Sequence, residues 1–347
     1  MKRAVSILFL LLSCGIFSAV YFFNLRPQPP ETTQNNLPQI ELSPRLSNEE
    51  FQAEHLKLRT VADAKGLQAA FETLKSDMAQ DEKVLNSCHE LLHVFGRSMF
   101  EKYGNFTEAV RYQDEVCVSG YIHGVLEGYL AVEPRIDVAL KEVCTDTEPG
   151  TYRRTSCYHG VGHALMFYSQ NNLPLSLEKC DLYRDPTDNS DCYSGAYMEN
   201  FNMDQKEHLS TYLDPSRPLY PCTVNTKNLD ACYAYAPLYF LGLHKDDYSG
   251  ALAVCDSADK AYRASCYFGV GFQYVRRHLK DISSVQAVCD ASTAARASCI
   301  SGAAYYYLSY HLSKDKTRTM CSTLNLEDAA TCTEAVDTFS NLLKDFK

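Results

Sequence analysis

The chain has 347 residues, 46% of them apolar, and a formal net charge of -10. That apolar content excludes a disordered chain. The acidic balance excludes a nucleic-acid binder working through phosphate neutralisation, which needs a positive face.

A basic stub, Met1-Lys2-Arg3, precedes an uncharged apolar run from Ala4 to Leu25. Crossing a bilayer takes roughly 20 such residues. No A-x-A site closes the run, and the positive stub favours a cytoplasmic N-terminus. The expectation is a signal anchor, a single transmembrane helix over 4–25. Lipidation of Cys14 in Leu-Leu-Ser-Cys and a cleaved signal are the alternatives. Each reading leaves the bulk of the chain extracytoplasmic, in a periplasmic, extracellular or lumenal space. Residues 26–46 are proline-rich and polar without an apolar period, and read as an extended stalk. Residues 47–347 remain for the folded domain.

The chain has fifteen cysteines. With Cys14 set aside, fourteen remain. From Cys144 onward they fall into pairs, 144/157, 180/192, 222/232, 255/266, 289/299 and 321/332. The second members recur every 33 to 40 residues, a period that marks a stacked repeat. There is no C-x-x-C, so disulfides in an oxidising compartment are a better reading than zinc thiolates. Cys88 and Cys117 stand outside the pattern, and pairing with each other follows.

The segment "LSLEKCDLYRDPTDNSDCYSGAYMENF" shows one unit. A helix ends near Cys180, Asp185-Pro186 turns the chain, and a second helix begins near Cys192 with Ser190 or Asp191 as its N-cap. Each unit is therefore an αα-hairpin stapled at its turn, within the 4.4–6.8 Å that a disulfide spans between Cα atoms. Three residues after the second cysteine stands a glycine, at 120, 160, 195, 269 and 302. Glycine inside a helix costs roughly 1 kcal/mol relative to alanine, so its recurrence predicts close helix crossings. The Cys232 unit has Tyr235 in the glycine place and Pro237 soon after, predicting a kinked or irregular helix. The predicted class is all-α, a solenoid or closed toroid of αα-hairpins with about one disulfide each. Over residues 80 to 340 this period and helix pairing resemble the tetratricopeptide and Sel1-like α/α repeat families, in their cysteine-stapled secreted form.

The first three cysteine-led helices carry histidines. "CHELLHVFG" offers His89 and His93, "CVSGYIHGVLEG" offers His123 and Glu127, and "CYHGVGHALMF" offers His159 and His163. Each pair is spaced i, i+4 and shares one helical face. Neighbouring helices of a stack would then present five imidazoles and a carboxylate to one surface, which is how helical metal sites are built. The ligand type suits a divalent transition metal, zinc first and copper or iron as alternatives. Later units have Tyr197, Met198, Phe272, Tyr305 and Tyr306 near those places.

His89-Glu90-Leu91-Leu92-His93 is an H-E-x-x-H sequence and resembles the zincin metalloproteases. By that resemblance His89 and His93 bind zinc and Glu90 is the general base. The expected function is a metal-dependent hydrolase or oxidoreductase attached to a membrane. The alternative is a non-catalytic scaffold whose tyrosine-rich concave face binds a peptide or partner protein.

Overall fold

The computed structural model describes residues 44–202, 210–290 and 293–346. The expected anchor at 4–25 and almost all of the stalk lie outside them. Among the described residues there is no strand, and no helix is long and apolar enough to cross a membrane.

The domain begins at Ser47, whose side chain accepts from Glu50 N while the Glu50 carboxylate accepts from Ser47 N. This reciprocal cap starts α1 (Asn48–Lys65), followed by α2 (Leu67–Gln80), α3 (Glu82–Tyr103), α4 (Phe106–Val110) and α5 (Val116–Val132). Then come α6 (Ile136–Glu142), α7 (Tyr152–Tyr168), α8 (Leu173–Cys180), α9 (Pro186–Phe201) and α10 (Leu229–Leu243). The chain finishes with α11 (Tyr248–Asp256), α12 (Arg263–Arg277), α13 (Val285–Val288), α14 (Thr293–His311), α15 (Lys314–Cys321), α16 (Leu326–Phe339) and a 3-10 turn.

All seven expected disulfides are present. Six staple a cysteine-led helix to the segment before it, and Cys88–Cys117 joins α3 to α5. Their Cα separations run from 5.5 to 5.8 Å. Short helices precede the long ones, except that Cys222 lies in turns with no short helix before it among the described residues. The all-helical, stapled packing is compatible with an α/α repeat.

The long helices pack in succession, α3 on α5, then α7, α9, α10, α12, α14 and α16. The row curls back on itself. Helix α14 touches α5, and Arg276 of α12 forms an ion pair with Glu90 of α3 at 2.5 Å. Apolar side chains such as Leu126, Val161, Leu165 and Val270 are fully buried between the helices. Each contributes roughly 1.5–3 kcal/mol by leaving water. Two bidentate clamps repeat at equivalent places. Arg154 grips Asp188 at 2.8 and 2.7 Å, and Arg296 grips Asp328 at 2.8 and 2.6 Å.

Two local expectations are corrected. Helix α9 begins at Pro186, with Asp185 capping Thr187 and Asp188, so Ser190 and Asp191 lie inside it rather than at its N-cap. The reason is that proline at the first helical position is pre-organised and the aspartate before it satisfies the free N–H groups. Helix α10 also continues unbroken through Pro237.

Two glycines set the helix spacing around the histidines. A Cβ on Gly124 would strike the backbone carbonyl of His93, and one on Gly195 that of His159. Substituting Gly195→Ala in an exposed helix would stabilise it by about 1 kcal/mol. Here the sign should reverse, because the overpacked backbone costs about 1–3 kcal/mol, read as a lower urea midpoint. Removing the 180/192 staple as the double serine variant should cost about 3 kcal/mol by the same measurement, the loop-entropy value for a closure of this length.

Candidate metal centre

Four helices supply the site. Helix α3 carries His89 and His93, α5 carries His123 and Glu127, α7 carries His159 and His163, and α9 carries Glu199. Spacing of four aligns the two residues of each helix on one face. The close crossings at Gly124 and Gly195 bring those faces together. The five imidazoles form one cluster, with neighbouring ring centroids 4.7 to 5.5 Å apart. His93, His123, Glu127 and His163 are each 2% exposed or less.

Hydrogen bonds fix where the protons sit. His89 Nδ1 donates to the Cys117 carbonyl at 2.7 Å, and His123 Nε2 donates to the Ser156 carbonyl at 3.1 Å. A carbonyl only accepts, so those nitrogens carry the protons. The Cys117 carbonyl is aimed by a left-handed turn, with Cys117, Val118 and Ser119 at φ 56°, 55° and 57°. Three such residues cost about 1–3 kcal/mol each, and the Cys88–Cys117 disulfide anchors the turn at its start.

His93 Nδ1 donates to Glu127 Oε1 at 2.6 Å, and the other Glu127 oxygen accepts from Arg97. Burial works against ionisation of Glu127, yet His93 and Arg97 beside it hold the carboxyl down at about 2. Burial and the neighbouring His93 push His89 down to about 3, and the same two causes do so for His159. Burial, with the surrounding imidazoles, drives His123 and His163 well below the usual histidine range. Those four rings are therefore neutral at physiological pH, the form that binds metals.

The second pair repeats the first. His89 and His93 face each other through Nε2 at 3.1 Å, and His159 and His163 do so at 3.1 Å. His163 Nδ1 meets Glu199 Oε2 at 2.7 Å, as His93 meets Glu127. His159 Nδ1 lies 3.2 Å from the Ser194 hydroxyl, which itself donates to the Tyr235 hydroxyl and so accepts from the ring. Burial, then the charge of Glu127, pushes the Glu199 carboxyl up to about 8.

With the Nδ1 proton of His89 given to a carbonyl, its Nε2 offers a bare lone pair toward His93 Nε2. Two imidazoles on one tetrahedral zinc at 2.0–2.1 Å hold their nitrogens about 3.3 Å apart, close to the spacing seen in each pair. His123 Nδ1, between the pairs, is buried without a hydrogen-bond partner. Ligand atoms of His89, His93 and His123 lie within 4.8 Å of one another, as do those of His93, Glu127 and His163. These buried groups could hold a metal ion. Glu127 has both oxygens engaged, which fits a carboxylate that orients a ligating histidine.

The structure thus brings together every expected histidine and Glu127. Glu90 goes elsewhere. Its carboxylate pairs with Arg276 at 2.5 Å and Arg45 at 3.8 Å. Although burial opposes it, these arginines hold Glu90 at about 2. Sequence reading missed Glu199, Arg97, Ser194 and Tyr235. A signal for Glu199 exists, since His93 precedes Glu127 by 34 residues and His163 precedes Glu199 by 36.

Replacing Glu199 by Gln should lower zinc affinity about 10- to 100-fold, the usual effect of an orienting carboxylate. Competition with a chromogenic chelator reads this directly, and the helical circular dichroism should stay unchanged.

No protein-family model, curated protein or solved structure matches this chain.

Proposed function

We propose that the chain is a membrane-attached, extracytoplasmic, metal-dependent enzyme. Its catalytic domain is a closed array of αα-hairpins of the tetratricopeptide-like kind, and His89, His93, His123, His159 and His163 hold its metal. The observation that carries this reading is the convergence of buried ligand atoms, those of His89, His93 and His123 and those of His93, Glu127 and His163 each lying within 4.8 Å of one another. Burial keeps His89, His123, His159 and His163 in the neutral form that a metal takes up.

Zinc is the first choice, with copper and iron as the alternatives imidazole accepts. A divalent ion seated there supplies Lewis acidity, for a hydrolysis, or for an oxidation with copper or iron. Glu127 and Glu199 keep His93 and His163 oriented, and Ser194 does the same for His159. Glu90, the general base by the zincin likeness, has its charge taken by Arg276 and Arg45. We assign it to positioning Arg276 at the wall of the adjoining cavity. The equivalent Arg154–Asp188 and Arg296–Asp328 clamps support the repeat reading, and seven disulfides support an oxidising compartment. Membrane attachment rests on the apolar run at 4–25.

One observation favours a second reading, a scaffold that binds a peptide or partner protein. A groove beside the site is lined by Tyr235, Phe268, Phe272, Tyr305 and Phe339. Metal analysis of untagged protein separates the two. Stoichiometric metal, lost on dialysis against a chelator and absent from the His123→Ala/His163→Ala double variant, is expected. Protein without metal, unchanged in that variant, sinks the enzyme reading and leaves the scaffold.

A further inference from the structure

The groove beside the histidine cluster has a volume of about 930 Å³. It continues into a small inner cavity of about 80 Å³ that reaches His89, His123 and His159. Thr155, Asp191, Ser194, Tyr235, Phe272 and Tyr305 line both, so the groove is the approach to the centre.

Its chemistry is one-sided. The charged residues lining it are Asp191, Asp230 and Glu334, and no lysine, arginine or histidine joins them among the described residues. Three of its hydroxyls have already donated their protons. Ser265 donates to Asp230 at 2.6 Å, Ser301 to the Ala297 carbonyl at 2.9 Å and Thr338 to the Glu334 carbonyl at 2.9 Å. What they present to the groove is lone pairs. The floor is a continuous row of rings. Centroids are 6.0 Å apart between Tyr235 and Phe272, 6.2 Å between Phe272 and Tyr305, and 4.8 Å between Tyr305 and Phe339. Negative charge, acceptors and aromatic faces together favour a cation with hydrogen-bond donors and an apolar body.

Asp191 gives the cation a specific seat. It lies on α9 where groove and cavity meet, and its Oδ2 is buried without a hydrogen-bond partner. A buried acceptor left unpaired costs about 1–3 kcal/mol. Burial, in turn, pushes this carboxyl up to about 7. One open oxygen suits a compact ammonium, whereas a guanidinium prefers a carboxylate offering both. On the far wall of the cavity Arg276 is paired with Glu90, so it does not repel such a guest.

We propose that the groove binds a small organic primary amine, with its ammonium on Asp191 and its apolar stem along the Tyr235–Phe272–Tyr305 row. This rests on reading the groove as the approach to the metal centre and names the substrate class for it. A free small amine is favoured over lysine on a protein, because the inner cavity admits only a group of a few heavy atoms.

Calorimetric titration of the full chain in detergent tests this, with 2-phenylethylamine, 2-phenylethanol and 3-phenylpropionate as probes. The amine should bind, the alcohol at least tenfold more weakly, and the acid not at all. Asp191→Asn should weaken amine binding about tenfold to a hundredfold while retaining the wild-type metal content. Equal binding of amine and alcohol overturns the proposal without recourse to any variant, as does unchanged amine binding by Asp191→Asn. Tighter binding of an acetyl-lysine-amide peptide than of the free amine overturns the small-molecule assignment. Metal content is measured on the same samples, so amine binding by protein lacking metal sinks the enzyme reading while this one stands.

Discussion

Successive cysteine-led helices lie close enough for their backbones to touch. Gly124 rests against the carbonyl of His93, and Gly195 against that of His159. A methyl group at either place would force the helices apart, and imidazoles projecting between them would separate by a similar amount. The disulfides act at the helix beginnings, where they hold each long helix to the segment before it. Glycine contact and staple together set the spacing from which the centre inherits its 3.1 Å nitrogen pairs.

Within that spacing, electrostatics decides the state of each ring. Burial makes protonation expensive, and neutral imidazole prevails at His89, His123, His159 and His163. Backbone carbonyls at Cys117 and Ser156 and the Glu127 carboxylate then fix which nitrogen keeps its proton. The strained turn at Cys117–Ser119 belongs to the same design. Its energetic cost is offset by a covalent bond, and its product is one carbonyl oriented toward His89. Glu127 and Glu199 hold matching places at the two ends of the cluster, one carboxyl held at about 2 and the other pushed up to about 8.

Departures from the cysteine–glycine spacing are where the surroundings of the centre are made. Tyr235 stands where five of the cysteine-led helices have glycine, and there its hydroxyl meets Ser194 and its ring approaches His159. Asp191 would be consumed as a cap had α9 begun at Cys192. Because Asp185 and Pro186 start the helix, Asp191 projects from its body toward the groove. The curling of the row adds the last wall, bringing Arg276 and Tyr306 from far along the chain to the mouth of the site.

Much of this was readable in the residues themselves. Disulfide partners, the helical class, the glycine crossings and the five histidines all follow from local spacing. A period of 33 to 40 residues and an i, i+4 step are properties of helices that need no tertiary knowledge. Glu199, Arg97 and the fate of Glu90 were not readable, because each depends on which side chain lies opposite across a helix interface or across the curled row. H-E-x-x-H specifies that three side chains lie along one stretch of helix. Whether its glutamate meets a substrate or an arginine 186 positions away depends on how far the array curves, which is set by the summed packing of all its helices and written in no single one of them.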